Sequence, residues 1–260
     1  MKAMIFAAGL GTRLRPFTLR HPKALVPVDG VPMLQRVIER VASAGITDIV
    51  VNIHHFGQQI VDFLQANRYF GLNIAVSDET DQLLDTGGGL LKALALLGEN
   101  EPVLIHNADI LTDLPLSLMI DFHKATKADA TLLCSQRSSS RQLWFNGYNN
   151  RLVGWENCKT GETRPAGFAP GTADEASPFD GVHIVNPALL PLLRQYHEEL
   201  ADDEHTPGAI VPFSIIPFYL SAAAESNIVR FMLPSDYQWF DVGSADKLEI
   251  ARQAFPSLRL

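Results

Sequence analysis

The chain has 260 residues, 47% hydrophobic and 19% charged, which is ample apolar material for a globular core. A formal charge of −8 argues against a general nucleic-acid surface, and no apolar run reaches the roughly 18 residues a membrane-spanning helix needs. The charge is unevenly spread: Lys2, Arg13, Arg15, Arg20 and Lys23 precede the first acid, Asp29, which suits a small anionic ligand better than a polymer.

In chain order, Ala3 to Ala7 reads as a buried strand. Its apolar start spans about eight residues and Arg13 and Arg15 follow at once, so a secretory leader is not expected. Leu34, Val37, Ile38 and Val41 recur at helical spacing, with Gly45 as the stop. Ile49 to Ile53 and Ile74 to Val76 read as short buried strands around a helical stretch from Gln58 to Leu64. Leu90, Leu91, Leu94 and Leu97 give another helix, ended by Gly98, and Val103 to Ile105 and Thr131 to Cys134 give further strands. Gln142 to Trp155 reads as two strands around a turn at Gly147–Asn150. Residues 157–178, rich in Gly, Pro, Thr, Ser and Ala, are expected to form an irregular loop or flap. A strand from Val182 to Val185, a helix from Leu189 to Tyr196, a strand near Trp239 and Phe240, and a helix from Ser244 to Ala254 close the chain.

Strand–helix alternation of this kind implies a three-layer α/β/α fold on a mostly parallel, Rossmann-like sheet. One domain is expected over 1–260, with a first half at about 1–134 and a smaller second half at about 135–260 built onto it. Cys134 and Cys158 have no metal or redox spacing, so a reduced cytoplasmic protein is expected. His54 and His55 point to opposite faces of a strand and cannot share an ion. They, and His106, His183 and His205, read as structural or rim residues.

The chemistry begins at Ala7-Ala8-Gly9-Leu10-Gly11-Thr12-Arg13, directly after the first strand. Ligands of open parallel sheets bind at the carboxyl ends of strands. Gly9 and Gly11 let backbone N–H groups approach an anion, and Arg13 adds a bidentate donor for phosphate. The loop is not a dinucleotide fingerprint, because Leu14 replaces the third glycine, nor a P-loop, because Thr12-Arg13 replaces Lys-Ser/Thr. On glycines alone a tight turn would explain it. The continuation, Pro16, Thr18, Pro22-Lys23 and Pro27, stiffens the chain and fixes Lys23.

The run Gly9-x-Gly11-Thr12-Arg13-x-x-Pro16-x-Thr18, then Pro22-Lys23-x-x-x-Pro27-Val28, resembles the signature of the sugar-1-phosphate nucleotidyltransferase family. That resemblance implies the nucleotide-diphospho-sugar transferase fold and a nucleotide site at Ala8, Gly9, Gly11, Thr12, Arg13 and Lys23, with Arg13 and Lys23 acting in catalysis. It also implies a base-binding glycine turn, matched by Thr86, Gly87 and Gly88 before the Leu90 helix. A Mg²⁺ site is implied at Asp109, after the Val103–Ile105 strand, and at Asp241 in Trp239-Phe240-Asp241-Val242-Gly243, with Asn107 facing the acceptor. Two strand-end carboxylates suit a hard cation that retains waters and phosphate oxygens.

On the acceptor side Glu156 matches a sugar-binding Glu, and Asn146 is expected to face the sugar from the neighbouring strand. Phe179-Asp180-Gly181-Val182 resembles the family's F-S/T-G-I turn and supplies Gly181. Two departures stand out. Asn157 replaces the Lys that usually follows the Glu, and Asp180 replaces a hydroxyl residue.

The implied reaction joins a nucleoside monophosphate from an NTP to a sugar 1-phosphate with release of pyrophosphate. Length and the Leu84–Gly89 turn most resemble short bacterial uridylyltransferases acting on N-acetylmuramate 1-phosphate. Guanylyl- or cytidylyltransfer to mannose, heptose or choline phosphate, and a non-catalytic sugar-nucleotide sensor, are the alternatives. The expected partners are these small molecules, not nucleic acid or membrane, for a monomer or small homo-oligomer.

Overall fold

The computed structural model describes residues 1–201 and 208–254, so His205 lies outside the described residues. Strand β1 (Lys2–Phe6) leads through a short ribbon, β2 (Pro27–Val28) and β3 (Val31–Pro32), into α1 (Met33–Ser43). The alternation continues with β4 (Asp48–Ile53), α2 (Gly57–Ala66), β5 (Asn73–Asp78) and α3 (Asp85–Leu97). It is completed by β6 (Val103–Asn107), β7 (Ile110–Thr112), α4 (Leu116–Thr126) and β8 (Ala130–Cys134). Next come β9 (Arg141–Asn146), β10 (Leu152–Asn157), β11 (Glu162–Arg164), β12 (Asp174–Ser177) and β13 (Phe179–Val185). The remaining elements are α5 (Leu190–Leu200), α6 (Ile215–Ala222), β14 (Ile228–Met232), β15 (Trp239–Asp241) and α7 (Ala245–Ala254).

The central sheet has seven strands in the order β14-β8-β13-β6-β1-β4-β5. β1 runs parallel to β4 and β6, β4 to β5, and β14 to β8, while β13 enters antiparallel between β6 and β8. Leu34, Val37, Ile38 and Val41 of α1, Leu64 of α2 and Met119 of α4 are buried on one face. Leu90 and Leu94 of α3, Leu193 of α5 and Phe218 and Tyr219 of α6 are buried on the other. Each such side chain contributes about 1.5–3 kcal/mol on burial. The described helices, none longer than 13 residues, are therefore held by packing on the sheet rather than by intrinsic propensity. No described helix is long and apolar enough to cross a membrane.

Residues 157–178 depart from the expected irregular loop. They include β11 and β12, the two edges of a four-stranded antiparallel sheet in the order β11-β10-β9-β12. Edge strands with Glu162, Arg164, Asp174 and Glu175 lack the apolar alternation that marks a half-buried strand. The inner strands carry the packing, with Leu143, Phe145 and Leu152 sunk into the second core.

His106 and His183 sit side by side in the middle of the sheet, where Val182 and His183 of β13 pair with His106 and Ile105 of β6. His183 Nδ1 hydrogen-bonds the Tyr219 hydroxyl and His106 Nδ1 the Asn107 carbonyl. Burial lowers both, His106 to about 4 and His183 to about 3. Each is thus neutral when folded and gains a proton on unfolding below its ordinary value of about 6.5, so stability falls as pH drops from there toward 4. We expect unfolding free energy to fall by about 2 kcal/mol per histidine between pH 7 and pH 5. Urea titrations of wild type and His183→Gln check this; an equal acid loss in both would contradict it.

Candidate active site

At Phe6 the chain leaves the sheet's carboxyl edge and turns sharply. Ala7 N–H and Ala8 N–H both donate to Asn52 Oδ1, at 2.7 and 3.3 Å. Asn52 Nδ2 donates to Glu79 Oε1 at 2.7 Å, and Leu84 N–H donates to Glu79 Oε2 at 3.0 Å. Asn52 is 2% and Glu79 1% exposed. One buried amide and one buried carboxylate therefore lock the ends of β1, β4 and β5 to the segment entering α3.

The glycine loop follows. Gly11 has φ of +62°, and a Cβ there would stand 2.8 Å from Thr18 Cγ2 and 2.9 Å from Lys23 Cβ. Thr18 Oγ1 donates to the Gly11 carbonyl at 2.7 Å. Glycine is thus required both by backbone conformation and by the approach of Lys23. Thr12 and Arg13 lie on the exposed helical turn Thr12–Leu14. Lys23 points back across the loop to an ion pair with Asp109 Oδ2.

Asp109 follows β6, and its carbonyl accepts the Val242 N–H at 2.8 Å. β15 pairs with β7 so that Asp241 stands opposite Ile110. The two carboxylates expected from sequence thus come from neighbouring strand ends, although 132 positions separate them in the chain. Asp241 is paired in turn with Lys247 of α7. Burial pushes the Asp241 carboxyl up, but Lys247, the charge of Lys23 and the Gly243 N–H outweigh it and hold it below the usual range. A Cβ on Gly243 would lie 2.6 Å from Asp241 Oδ1 and 3.0 Å from an Arg13 guanidinium nitrogen. The absence of a side chain at Gly243 thus leaves room for the Asp241 carboxylate with Arg13 beside it.

Ala7 to Gly9, Lys23, Asn107 and Asp109 border one cavity of about 330 Å³ together with Asn52, Glu79, Leu83, Asp85 and Thr86, whereas Gly11, Thr12, Arg13 and Asp241 are not among its walls. No histidine among the described residues is in its walls. Asn107 is backed by Gly181, whose φ is +77° and where a Cβ would stand 2.8 Å from Asn107 Nδ2. Among the described residues no three or more His, Cys, Asp or Glu side chains gather as metal ligands.

Several expected contacts are placed otherwise. Ala8 borders the cavity, but its N–H is turned to Asn52 rather than to a ligand. Gly87 and Gly88 lie within α3, away from the cavity, and both N–H groups donate to the Phe213 carbonyl at 2.8 and 3.3 Å. Their lack of a side chain serves packing: a Cβ on Gly87 would stand 2.2 Å from the Phe213 ring, and one on Gly88 3.1 Å from the Val211 carbonyl. Thr86 does border the cavity, with its Oγ1 accepting the Ile215 N–H at 2.9 Å. We expect Gly87→Ala to destabilise the fold by about 1–3 kcal/mol through overpacking. A thermal melt unchanged from wild type would return Gly87 to a purely ligand-facing role.

On the acceptor side, Asn146 does not present its amide outward. Its Oδ1 accepts the N–H groups of Tyr148 and Asn149 at 3.1 and 3.2 Å and closes the 147–150 turn. Glu156 lies on β10, where it accepts the Trp144 indole N–H at 3.2 Å, and neither residue borders the main cavity. Asn52 and Glu79, which do, are missing from the sequence expectations. Their signal was available: each is a polar residue closing or following an apolar strand at the carboxyl edge.

The fold and this cavity define a nucleotide-handling α/β protein whose glycine loop, Lys23 and Asp109 meet at a sheet's carboxyl edge, with Asp241 on the adjoining strand end. Comparison with known proteins is more specific. Residues 2–145 match the model of the nucleotidyl transferase family. An N-acetylmuramate alpha-1-phosphate uridylyltransferase of Caulobacter vibrioides is 32% identical over 251 residues, covering 93% of this chain and 91% of that protein. One from Neisseria meningitidis serogroup B is 44% identical over 145 residues, 56% of this chain and 58% of that protein. A UDP-glucose pyrophosphorylase solved with UDP-glucose shares the fold, with a TM-score of 0.75 at 19% identity over 100% of both chains. The chain belongs to the nucleotidyl transferase family.

Proposed function

We propose that this protein transfers the uridylyl group of UTP to N-acetylmuramate 1-phosphate, forming the UDP-sugar and pyrophosphate, with Mg²⁺ as its metal. The observation that carries this reading is the meeting of Lys23 and Asp109 in one cavity with the glycine loop, with Asp241 on the adjoining strand end. The likeness over 93% of the chain to an enzyme named for this acceptor supports the choice of sugar.

The acceptor's phosphate is largely dianionic at neutral pH, its second pKa being about 6, so it attacks without a general base. That agrees with a cavity whose described walls hold no histidine. An acceptor oxygen bonds to the α-phosphorus while the bond to the bridging oxygen breaks, and its electron pair leaves with pyrophosphate. Two anions must meet, so the protein's task is positioning and charge neutralisation. Lys23 neutralises charge at the α-phosphate. Arg13 holds the departing pyrophosphate beside the loop of Gly9, Gly11 and Thr12. Asp85 and Thr86 bound the base side of the cavity, and Asn107 bounds the acceptor side. Asp109 and Asp241 would hold Mg²⁺, which when bound supplies positive charge to the phosphate oxygens. UTP as donor places the reaction in the cytoplasm.

The test is a matrix of UTP, CTP, GTP and ATP against the 1-phosphates of N-acetylmuramate, N-acetylglucosamine and mannose. UTP with N-acetylmuramate 1-phosphate is expected to give the highest kcat/KM. Preference for GTP and mannose 1-phosphate would replace this reading with guanylyl transfer, and tight binding without turnover would favour a sensor.

A further inference from the structure

A second opening lies on the same edge of the sheet, over β8 and β14. This cleft, about 490 Å³, is bordered by Ser135 and Arg137 after β8, by Ser235 and Tyr237 between β14 and β15 and by Trp239 of β15, and no acidic residue among the described residues borders it. Arg137 is unusually well fixed for a half-exposed side chain. Its guanidinium stacks 4.5 Å over the Trp239 ring, Nε donates to Asp180 Oδ1 at 2.7 Å, and Nη2 donates to the Phe179 carbonyl at 2.9 Å. The Trp239 indole N–H donates to the Asp180 carbonyl at 2.9 Å, which closes the frame. Arginine has five N–H groups, so three remain, and the side chain is 30% exposed.

Asp180, 1% exposed, stands where the family pattern has a hydroxyl residue, and its departure from that pattern has a structural correlate in Arg137. A carboxylate behind an arginine offsets part of its charge. It also holds the planar fork in one orientation, so that a second carboxylate in front meets donors already ordered. Ser135, beside Asp180, has a buried hydroxyl without a hydrogen bond of good geometry, and it borders the same cleft.

The position relative to the main cavity is informative. Trp239 and Asp241 are two residues apart on β15, so their side chains leave the strand on one face. Gly181, next to Asp180, backs Asn107. The cleft therefore lies farther along the sheet edge than Asn107, Asp109 and Asp241, away from the β4–β5 side where Asn52 and Glu79 border the main cavity. A sugar whose 1-phosphate lies at Asp109 and Asp241 can extend toward Arg137.

We infer that Arg137, held by Asp180 and Trp239, binds a carboxylate substituent of the acceptor sugar and so selects an acidic sugar 1-phosphate over its neutral parent. This rests on the transfer reaction proposed above. N-acetylmuramate and N-acetylglucosamine 1-phosphates differ by such a carboxylate-bearing group, so the ratio of their kcat/KM values isolates it. In wild type the ratio should favour the acidic sugar. In Arg137→Gln it should fall by about 10- to 100-fold, chiefly through KM of the acidic acceptor, as expected for loss of a hydrogen bond between charged groups. Arg137→Lys keeps the charge but not the fork, and should recover only part of the ratio. If Arg137→Gln folds poorly, competition on wild type decides: free N-acetylmuramate should inhibit more strongly than free N-acetylglucosamine. Equal loss with both acceptors, or equal inhibition by both sugars, would make Arg137 a structural tie and overturn the inference. Turnover with neither acceptor would instead overturn the transfer reading on which it rests.

Discussion

Replacing Asp109 by Asn is expected to cut turnover by roughly 10²- to 10³-fold while leaving the protein folded. The link between β7 and β15 at this point uses the Asp109 carbonyl, which Asn retains, rather than its carboxylate. What is lost is one of the two charges proposed to hold a divalent cation, together with the partner of Lys23. With a single carboxylate left, the cation would have to rely on water and phosphate oxygens. Asp241→Asn should act in the same direction, and the double variant should be little worse than the stronger single one, because the two carboxylates act as a unit. Steady-state kcat for the three variants, with thermal melts as the folding control, measures this. Activity within tenfold of wild type in Asp109→Asn would remove this residue from the chemistry.

The second large effect is on stability. Asn52→Leu, nearly equal in volume, is expected to destabilise the protein by about 3–5 kcal/mol. It leaves the Ala7 and Ala8 N–H groups and one oxygen of a buried carboxylate without partners, and each unsatisfied group costs about 1–3 kcal/mol. For a chain of this size that is a fall in Tm of about 6–20 °C. The pair Asn52→Asp with Glu79→Gln keeps every bond in the network: an aspartate oxygen accepts the two amides, the glutamine amide donates to the aspartate, and its carbonyl accepts the Leu84 N–H. The double variant should therefore recover most of the stability lost in Asn52→Asp alone, a coupling that a double-mutant cycle reads directly. A Tm for Asn52→Leu within 2–4 °C of wild type, about 1 kcal/mol, would mean that the network is incidental.

What was legible in the sequence follows from where the determining contacts lie. Gly9 to Val28 carries its meaning locally, because Gly11, Thr18 and Lys23 touch one another within a few residues of chain. Asp109 and Asp241 were legible as strand-end residues, though their adjacency depends on β15 pairing with β7. Gly87 and Gly88 show the opposite case. Their role is set by Phe213, a residue far along the chain, and a run of glycines before a helix carries no mark of which neighbour crowds it. Asn146 was placed on the correct strand, but a turn-closing side chain and a ligand-facing one look the same in a sequence. The edge strands β11 and β12 escaped because edges need no apolar alternation, and Asn52 and Glu79 because their importance lies in a hydrogen-bond network between strands.

The central claim is that this cavity exchanges pyrophosphate for a sugar 1-phosphate on the α-phosphorus of UTP. Parallel measurement of pyrophosphate and UDP-sugar, with UTP and Mg²⁺ in the presence and absence of N-acetylmuramate 1-phosphate, tests it most directly. The account predicts one pyrophosphate for each UDP-sugar and none without the acceptor. Pyrophosphate release that ignores the acceptor, or no release with it, would contradict the account.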